Sequence, residues 1–171
     1  GDEVIVSPFT FIATYNSIFL NKALPVFADT DPETMLIDPN SIPNKITERT
    51  SAILPVHICG MPAPMDEINT IAKNNQLKVI EDACQAWLAE YEGKMCGTLG
   101  DLGCFSFQNS KHIPAGDGGA ITGVHQELRY HDGALLDGEV EGVAALGVGL
   151  LEVLAAVDQL RDAVGVAAAD R

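Results

Sequence analysis

The chain has 171 residues, with 24 Asp and Glu against 10 Lys and Arg and a formal net charge of −14. That length fits one domain with a substantial buried core, and the acidity sets nucleic acid and anionic membrane aside as partners. Its four cysteines, Cys59, Cys84, Cys96 and Cys104, form no C-x-x-C pair and no metal spacing with histidine, so no metal site is expected. Gly1-Asp2-Glu3 lacks the basic start and apolar core of a signal peptide. A reduced, cytoplasmic setting follows, with Cys84 and Cys104 as buried thiols.

Val4-Ile5-Val6 is a short β-branched strand stopped by Ser7-Pro8. Thr10 is placed to cap a helix from Phe11 to Leu20, in which Ile12, Tyr15, Ile18 and Phe19 recur at helical spacing. Leu24 to Ala28 is the next strand, followed by the turn-rich DTDPETMLIDPNSIPNK. Asp29 and Asp31 are carboxylates of the kind that bind metal, but this setting favours a solvated turn. Pro39 to Ile46 reads as a short helix. Ser51 to Val56 is a near-continuous apolar strand, the pattern of a parallel sheet covered on both faces. His57 follows it directly and reads as structural rather than catalytic. Pro64 to Lys73 is a helix with Met65, Ile68, Ile71 and Ala72 inward.

Leu77 to Ile80 is a strand that delivers the acidic pair Glu81-Asp82, and Gln85 faces the same way as Asp82 if a turn of helix follows. Trp87, the only tryptophan, either lines a substrate face or packs. Tyr91 to Lys94 forms a hairpin turn, and Leu102 to Phe107 is a further strand. Ser106 and Ser110 carry hydroxyls able to donate to a phosphate, or to cap a turn. Lys111 stands between these polar residues and the glycine-rich Gly116 to Gly119, where positive φ and close backbone approach are available. Ala120 to Thr122 is again a strand. Beyond it, Val143, Leu146, Leu150, Val153, Leu154, Val157 and Leu160 fall on one face of a long helix, whose neutral stretch is too short for a membrane span.

Asp82 and Lys111 each follow an apolar strand, and open α/β sheets collect ligands at the carboxyl ends of their strands. An amine that forms a Schiff base with an aldehyde cofactor needs a tunable, desolvated nitrogen. Pyridoxal phosphate also needs a carboxylate to hold its ring nitrogen protonated. Burial raises such a carboxyl's pKa and the ring cation lowers it again, so both groups stay charged.

The blocks GDEVIVSPFTFIAT, HICGMPAPMDEI, VIEDACQA and GDLGCFSFQNSKHIPAGDGGAI, in that order and spacing, resemble the DegT/StrS family of sugar and cyclitol aminotransferases. The resemblance covers about the first two thirds of the chain. It implies an α/β fold with a mostly parallel central sheet flanked by helices in three layers, the large-domain type of pyridoxal-phosphate transferases. By the same resemblance Lys111 is the catalytic, Schiff-base lysine and Asp82 the partner of the pyridinium nitrogen. Gln85 lies near the O3′ side of the ring, Ser106 contacts the phosphate, and Phe11 stacks on the ring.

Some relatives replace the lysine by histidine and dehydrate their substrate; here Lys111 is kept, with His112 after it, which favours transamination. The implied partners are a glutamate or glutamine amino donor and a keto-sugar nucleotide or cyclitol acceptor, in a cytoplasmic homodimer. The family's phosphate-cradling glycine-threonine turn, which precedes GDEVI, is not recognised. Nor are its small domain or the asparagine and basic residue that it lends to a neighbouring subunit. Residues 1–123 are therefore expected to be a partial large domain and 124–171 a helical C-terminal extension, with the small domain missing. The second reading that follows is a non-catalytic, truncated remnant with weak or no cofactor binding.

Overall fold

Short aliphatic runs become strands here because both faces of the sheet they enter are covered. The computed structural model describes residues 1–123 in full and, beyond them, the backbone of residues 143–146. Strands β1 (Glu3–Val6), β2 (Leu24–Phe27), β3 (Thr50–Leu54) and β4 (Lys78–Asp82) alternate with helices α1 (Ile12–Leu20) and α2 (Met65–Asn74). A small antiparallel hairpin, β5 (Glu90–Tyr91) with β6 (Lys94–Met95), then leads to β7 (Leu102–Ser106), β8 (Gly119–Gly123) and β9 (Val143–Leu146). The main sheet has the order β2-β1-β3-β4-β7-β8-β9. It is parallel from β2 through β7, and β8 and β9 each run antiparallel to their neighbour.

The helices fall on opposite faces for a topological reason. The step from β1 to β2 moves one way along the sheet and the step from β3 to β4 moves the other way. Right-handed crossovers then put α1 and α2 on different sides, giving three layers. The same reversal makes the gap between β1 and β3 the switch point of the sheet, where a crevice opens beyond the strand ends.

The core is aliphatic. Ile5 and Ile53 from the sheet, Ile68 and Met65 from α2, and Ile37 and Ile42 from the long β2–β3 connection are all fully buried. Each such side chain contributes roughly 1.5–3 kcal/mol by leaving water. Strands β3, β4 and β7 are buried along most of their length, as their unbroken apolar runs require, whereas Leu24 and Phe27 on the edge strand β2 stay exposed.

Several local expectations fail on details that sequence spacing does not carry. Thr10 does not cap α1; Phe11 holds that position, and the Thr10 hydroxyl meets Thr14 Oγ1 at 2.8 Å instead. The buried face of α1 is Thr14, Ser17 and Ile18, while Ile12 and Phe19 are about half exposed. The helix read over Pro39 to Ile46 is only a 3-10 turn at Pro43–Lys45. Turns, not a helix, follow Asp82. The helical spacing through Val143 and Leu146 gives way to a strand, because the open edge of β8 takes Val143–Leu146 as an antiparallel neighbour. The rest of that helix reading, and of the extension 124–171, lies outside the described residues.

Candidate active site

The site is assembled at the carboxyl ends of β1, β3, β4 and β7. Asp82 closes β4, and its main chain continues the ladder past the end of β3: its N–H donates to Pro55 O at 2.9 Å, and its carbonyl accepts from the His57 N–H at 3.1 Å. The carboxylate is aimed by two neutral donors. Asp82 Oδ2 accepts from the Thr14 hydroxyl at 2.8 Å and Oδ1 from the Cys84 N–H at 3.1 Å. Thr14 lies on the first turn of α1, so the contact that orients Asp82 also fixes Phe11 at the head of that helix.

Lys111 is carried by the β7–β8 connection. The neck of that loop is closed by Phe107 N–H to Gly118 O and Ala115 N–H to Phe107 O, each 2.8 Å. Inside it the Lys111 N–H donates to Gln108 O at 2.8 Å. Gln108 Oε1 accepts from both the N–H and the hydroxyl of Ser110, at 2.8 and 2.5 Å. Gly116 and Gly118 have φ of 92° and 153°, conformations that side chains rarely adopt, and so let the loop fold back on itself. The result puts Lys111 Nζ 5.8 Å from the centre of the Phe11 ring, within cation–π range.

A cleft of about 320 Å³ opens here, lined by Cys59, Gln85, Ser110, Lys111 and His112. Gln85 Oε1 accepts from the Cys59 N–H at 3.0 Å, and Cys59 itself has φ of 53°. Of the residues expected at the site, Gln85 and Lys111 line the cleft, Phe11 lies against Lys111, and Asp82 is tied to the same helix as Phe11. Ser106 ends β7 but is not among the lining residues; its Oγ accepts from the Gln108 N–H at 3.3 Å. Trp87 packs rather than opening onto the cleft. Its ring lies 4.5 Å from Phe105 and 5.3 Å from Phe107, and Nε1 donates to Ser106 O at 3.3 Å.

The thiol of Cys84 registers both charges of the site. Burial pushes its pKa well up, the Asp82 carboxylate pushes it further, and the Lys111 ammonium acts in the opposite direction. Cys104, behind it on β7, is pushed up to about 12 by burial first and by Asp82 and Glu81 next. Both are free, buried thiols, as their apolar settings implied.

Thr14, Cys59 and His112 were not legible as site residues. Thr14 reaches Asp82 across 68 positions of sequence, and Cys59 acts through its backbone. His112 had a signal only in adjoining Lys111.

Glu81, by contrast, turns away from the cleft and is fully buried. Its Oε2 accepts from His57 Nε2 at 2.9 Å and from the Gly97 N–H at 2.7 Å; Oε1 accepts from the Leu99 and Gly100 N–H groups at 2.6 Å each. His57 Nδ1 accepts from the Ala63 N–H at 2.9 Å, so the ring proton is on Nε2 and points at Glu81. The structural reading of His57 is consistent with this burial.

These groups fit pyridoxal phosphate. The Asp82 carboxylate is held by neutral donors and makes no ion pair among the described residues, which leaves it open to a protonated ring nitrogen. Phe11 is 62% exposed and offers a flat apolar ring beside the one lysine that lines the cleft.

The mostly parallel sheet with its flanking helices is the fold of pyridoxal-phosphate-dependent aminotransferases. The DegT/DnrJ/EryC1/StrS aminotransferase family profile matches residues 1–135, and the chain belongs to that family, whose aminotransferases are pyridoxal-phosphate dependent. It is 48% identical over 122 residues to a GDP-perosamine synthase of Caulobacter vibrioides, covering 71% of this chain and 33% of that one. It is 41% identical over 121 residues to an L-glutamine:2-deoxy-scyllo-inosose aminotransferase of Streptomyces paromomycinus, covering 71% and 28%. Among solved structures, NtdA of Bacillus subtilis with bound cofactor PMP superposes with a TM-score of 0.64 at 40% identity, covering 70-odd per cent of this chain (71%) and 27% of that one. The chain thus spans about a third of the length of the curated relatives it matches.

Proposed function

We propose that this chain supplies the cofactor-binding core of an aminotransferase that moves an amino group from glutamate or glutamine to the keto group of a nucleotide-linked sugar or a cyclitol. The observation that carries the reading is the placement of Lys111 Nζ over the exposed Phe11 ring, with Thr14 of the same helix holding Asp82. The names of relatives that make GDP-perosamine or aminate an inosose supply the acceptor class.

Pyridoxal phosphate, when bound, supplies an aldehyde carbon that captures amines and a cationic ring that takes up the electrons of a broken C–H bond. Asp82 holds the proton on the ring nitrogen, and its two neutral donors keep it oriented for that purpose. Phe11 covers one face of the ring and keeps water from it. Gln85 binds the ring oxygen, and the Ser106 hydroxyl serves the phosphate. Lys111 Nζ takes the proton from the donor's Cα and delivers it on the other side of the transfer, acting as base and then acid. Two such chains form a homodimer in the cytoplasm; among the described residues no helix is long and apolar enough to cross a membrane.

Purified chain mixed with pyridoxal phosphate is expected to gain a visible absorbance band. Borohydride should then fix the cofactor mass onto the Lys111 peptide, and Lys111→Ala should abolish both signals. Absence of any adduct in the wild type at saturating cofactor would sink the proposal and leave a remnant that no longer binds.

A further inference from the structure

Three segments are cross-linked behind the cleft, and His57 is the buried joint between them. Its main-chain N–H continues the β3–β4 ladder onto Asp82 O at 3.1 Å, and its side chain ties Glu81 at 2.9 Å and the Ala63 N–H at 2.9 Å. Both ends of the 57–63 turn are therefore fixed by one fully buried imidazole. Within the turn the Gly60 N–H donates to His57 O at 3.2 Å, and Cys59 and Gly60 adopt φ of 53° and 82°. Two successive left-handed residues swing the Cys59 N–H round to Gln85 Oε1, 3.0 Å away.

That contact decides which end of the Gln85 amide is offered to a ligand. A backbone N–H needs an acceptor, so the oxygen faces Cys59 and the two N–H donors of the NH2 group remain. We propose that His57 is a positioning residue: through the 57–63 turn it holds the Cys59 N–H against Gln85 Oε1, so that Gln85 presents donors, not its carbonyl, to an anionic oxygen bound in the cleft. The identity of that oxygen as the cofactor's ring oxygen rests on the proposed function; the link from His57 to Gln85 does not.

Hydrogen exchange of the ligand-free full chain separates the two. The Cys59 amide should be protected in the wild type and lose that protection in His57→Leu, with the amides of β3 and β4 remaining slow. Cys59→Val, on an exposed turn, reads the same link should His57→Leu not fold, because a β-branched residue does not accept that positive φ. Cys59→Asn, which does, should keep the protection. Cofactor affinity, followed by quenching of Trp87 emission, should fall about three- to tenfold in His57→Leu or Cys59→Val, the range of one neutral hydrogen bond. It should fall no further when either change is combined with Gln85→Leu.

An unchanged Cys59 exchange rate in both His57→Leu and Cys59→Val overturns the proposal. So does an additive loss of affinity in the double variants. A wild type that takes up no cofactor refutes the aminotransferase reading instead, and the exchange experiment then decides the positioning role alone.

Discussion

Replacing Glu81 by glutamine tests the buried clasp with almost no change of volume. Four donors converge on the carboxylate: His57 Nε2 and the N–H groups of Gly97, Leu99 and Gly100. A glutamine offers one oxygen, so whichever way its amide lies, an NH2 group faces two donors. Turned toward Oε1 it opposes Leu99 and Gly100. Turned toward Oε2 it opposes Gly97 and His57, and the imidazole cannot move its proton to Nδ1 because the Ala63 N–H already occupies that lone pair.

Two orphaned donors at roughly 1–3 kcal/mol each give a loss of about 2–6 kcal/mol, nearer the lower end when the part-buried Leu99 and Gly100 N–H groups are the pair left unmet. That is a large share of the roughly 5–15 kcal/mol that holds a domain together. Urea unfolding followed by the emission of Trp87, the only tryptophan, measures it directly. A loss below about 1 kcal/mol in Glu81→Gln would refute the reasoning, since a satisfied amide at this position requires a different network.

Gly103→Ala should be destabilised by roughly 1–3 kcal/mol in the same assay, because its Cβ would stand 2.1 Å from the Gly97 carbonyl oxygen and neither backbone can yield cheaply. Of the four thiols only Cys59 is exposed. A thiol reagent should therefore label that position quickly and the other three only on unfolding, and rapid labelling of Cys84 would contradict its burial. Alkaline stability gives a further test with a definite sign. The Cys104 thiol is raised from an ordinary 9.0 to about 12, so above pH 9 the unfolded chain releases a proton that the folded chain keeps, and stability falls. Between pH 8 and 10.5 the loss from this thiol is about 2 kcal/mol, and Cys104→Ala should show a correspondingly flatter profile; equal slopes would show that the buried thiol does not drive it.

The order of the sheet strands and of the two α-helices up to residue 123 was legible, though not the turns at Pro43–Lys45 and after Asp82, because burial on two faces demands unbroken aliphatic runs, such as Ser51 to Val56, and amphipathic spacing such as that of Met65, Ile68 and Ala72. The motif blocks likewise carried the family; of the residues they singled out, Gln85 and Lys111 line the cleft and Phe11 lies beside Lys111, while Ser106 does not line it. What the sequence could not carry was direction. The exposed side of α1 is its more apolar one, since Thr14 and Ser17 turn inward where their hydroxyls find Asp82 and a main-chain carbonyl. Neighbouring acids also part company: Asp82 is held by the Thr14 hydroxyl and the Cys84 N–H, while Glu81 is enclosed by backbone N–H groups from a loop many residues away. Val143–Leu146 became a strand because an unpaired sheet edge was available to it, a fact absent from its own residues. Spacing reports which residues share an element, but the partner of a polar group is chosen by the fold, since a buried donor or acceptor must be met by whatever segment the topology brings beside it.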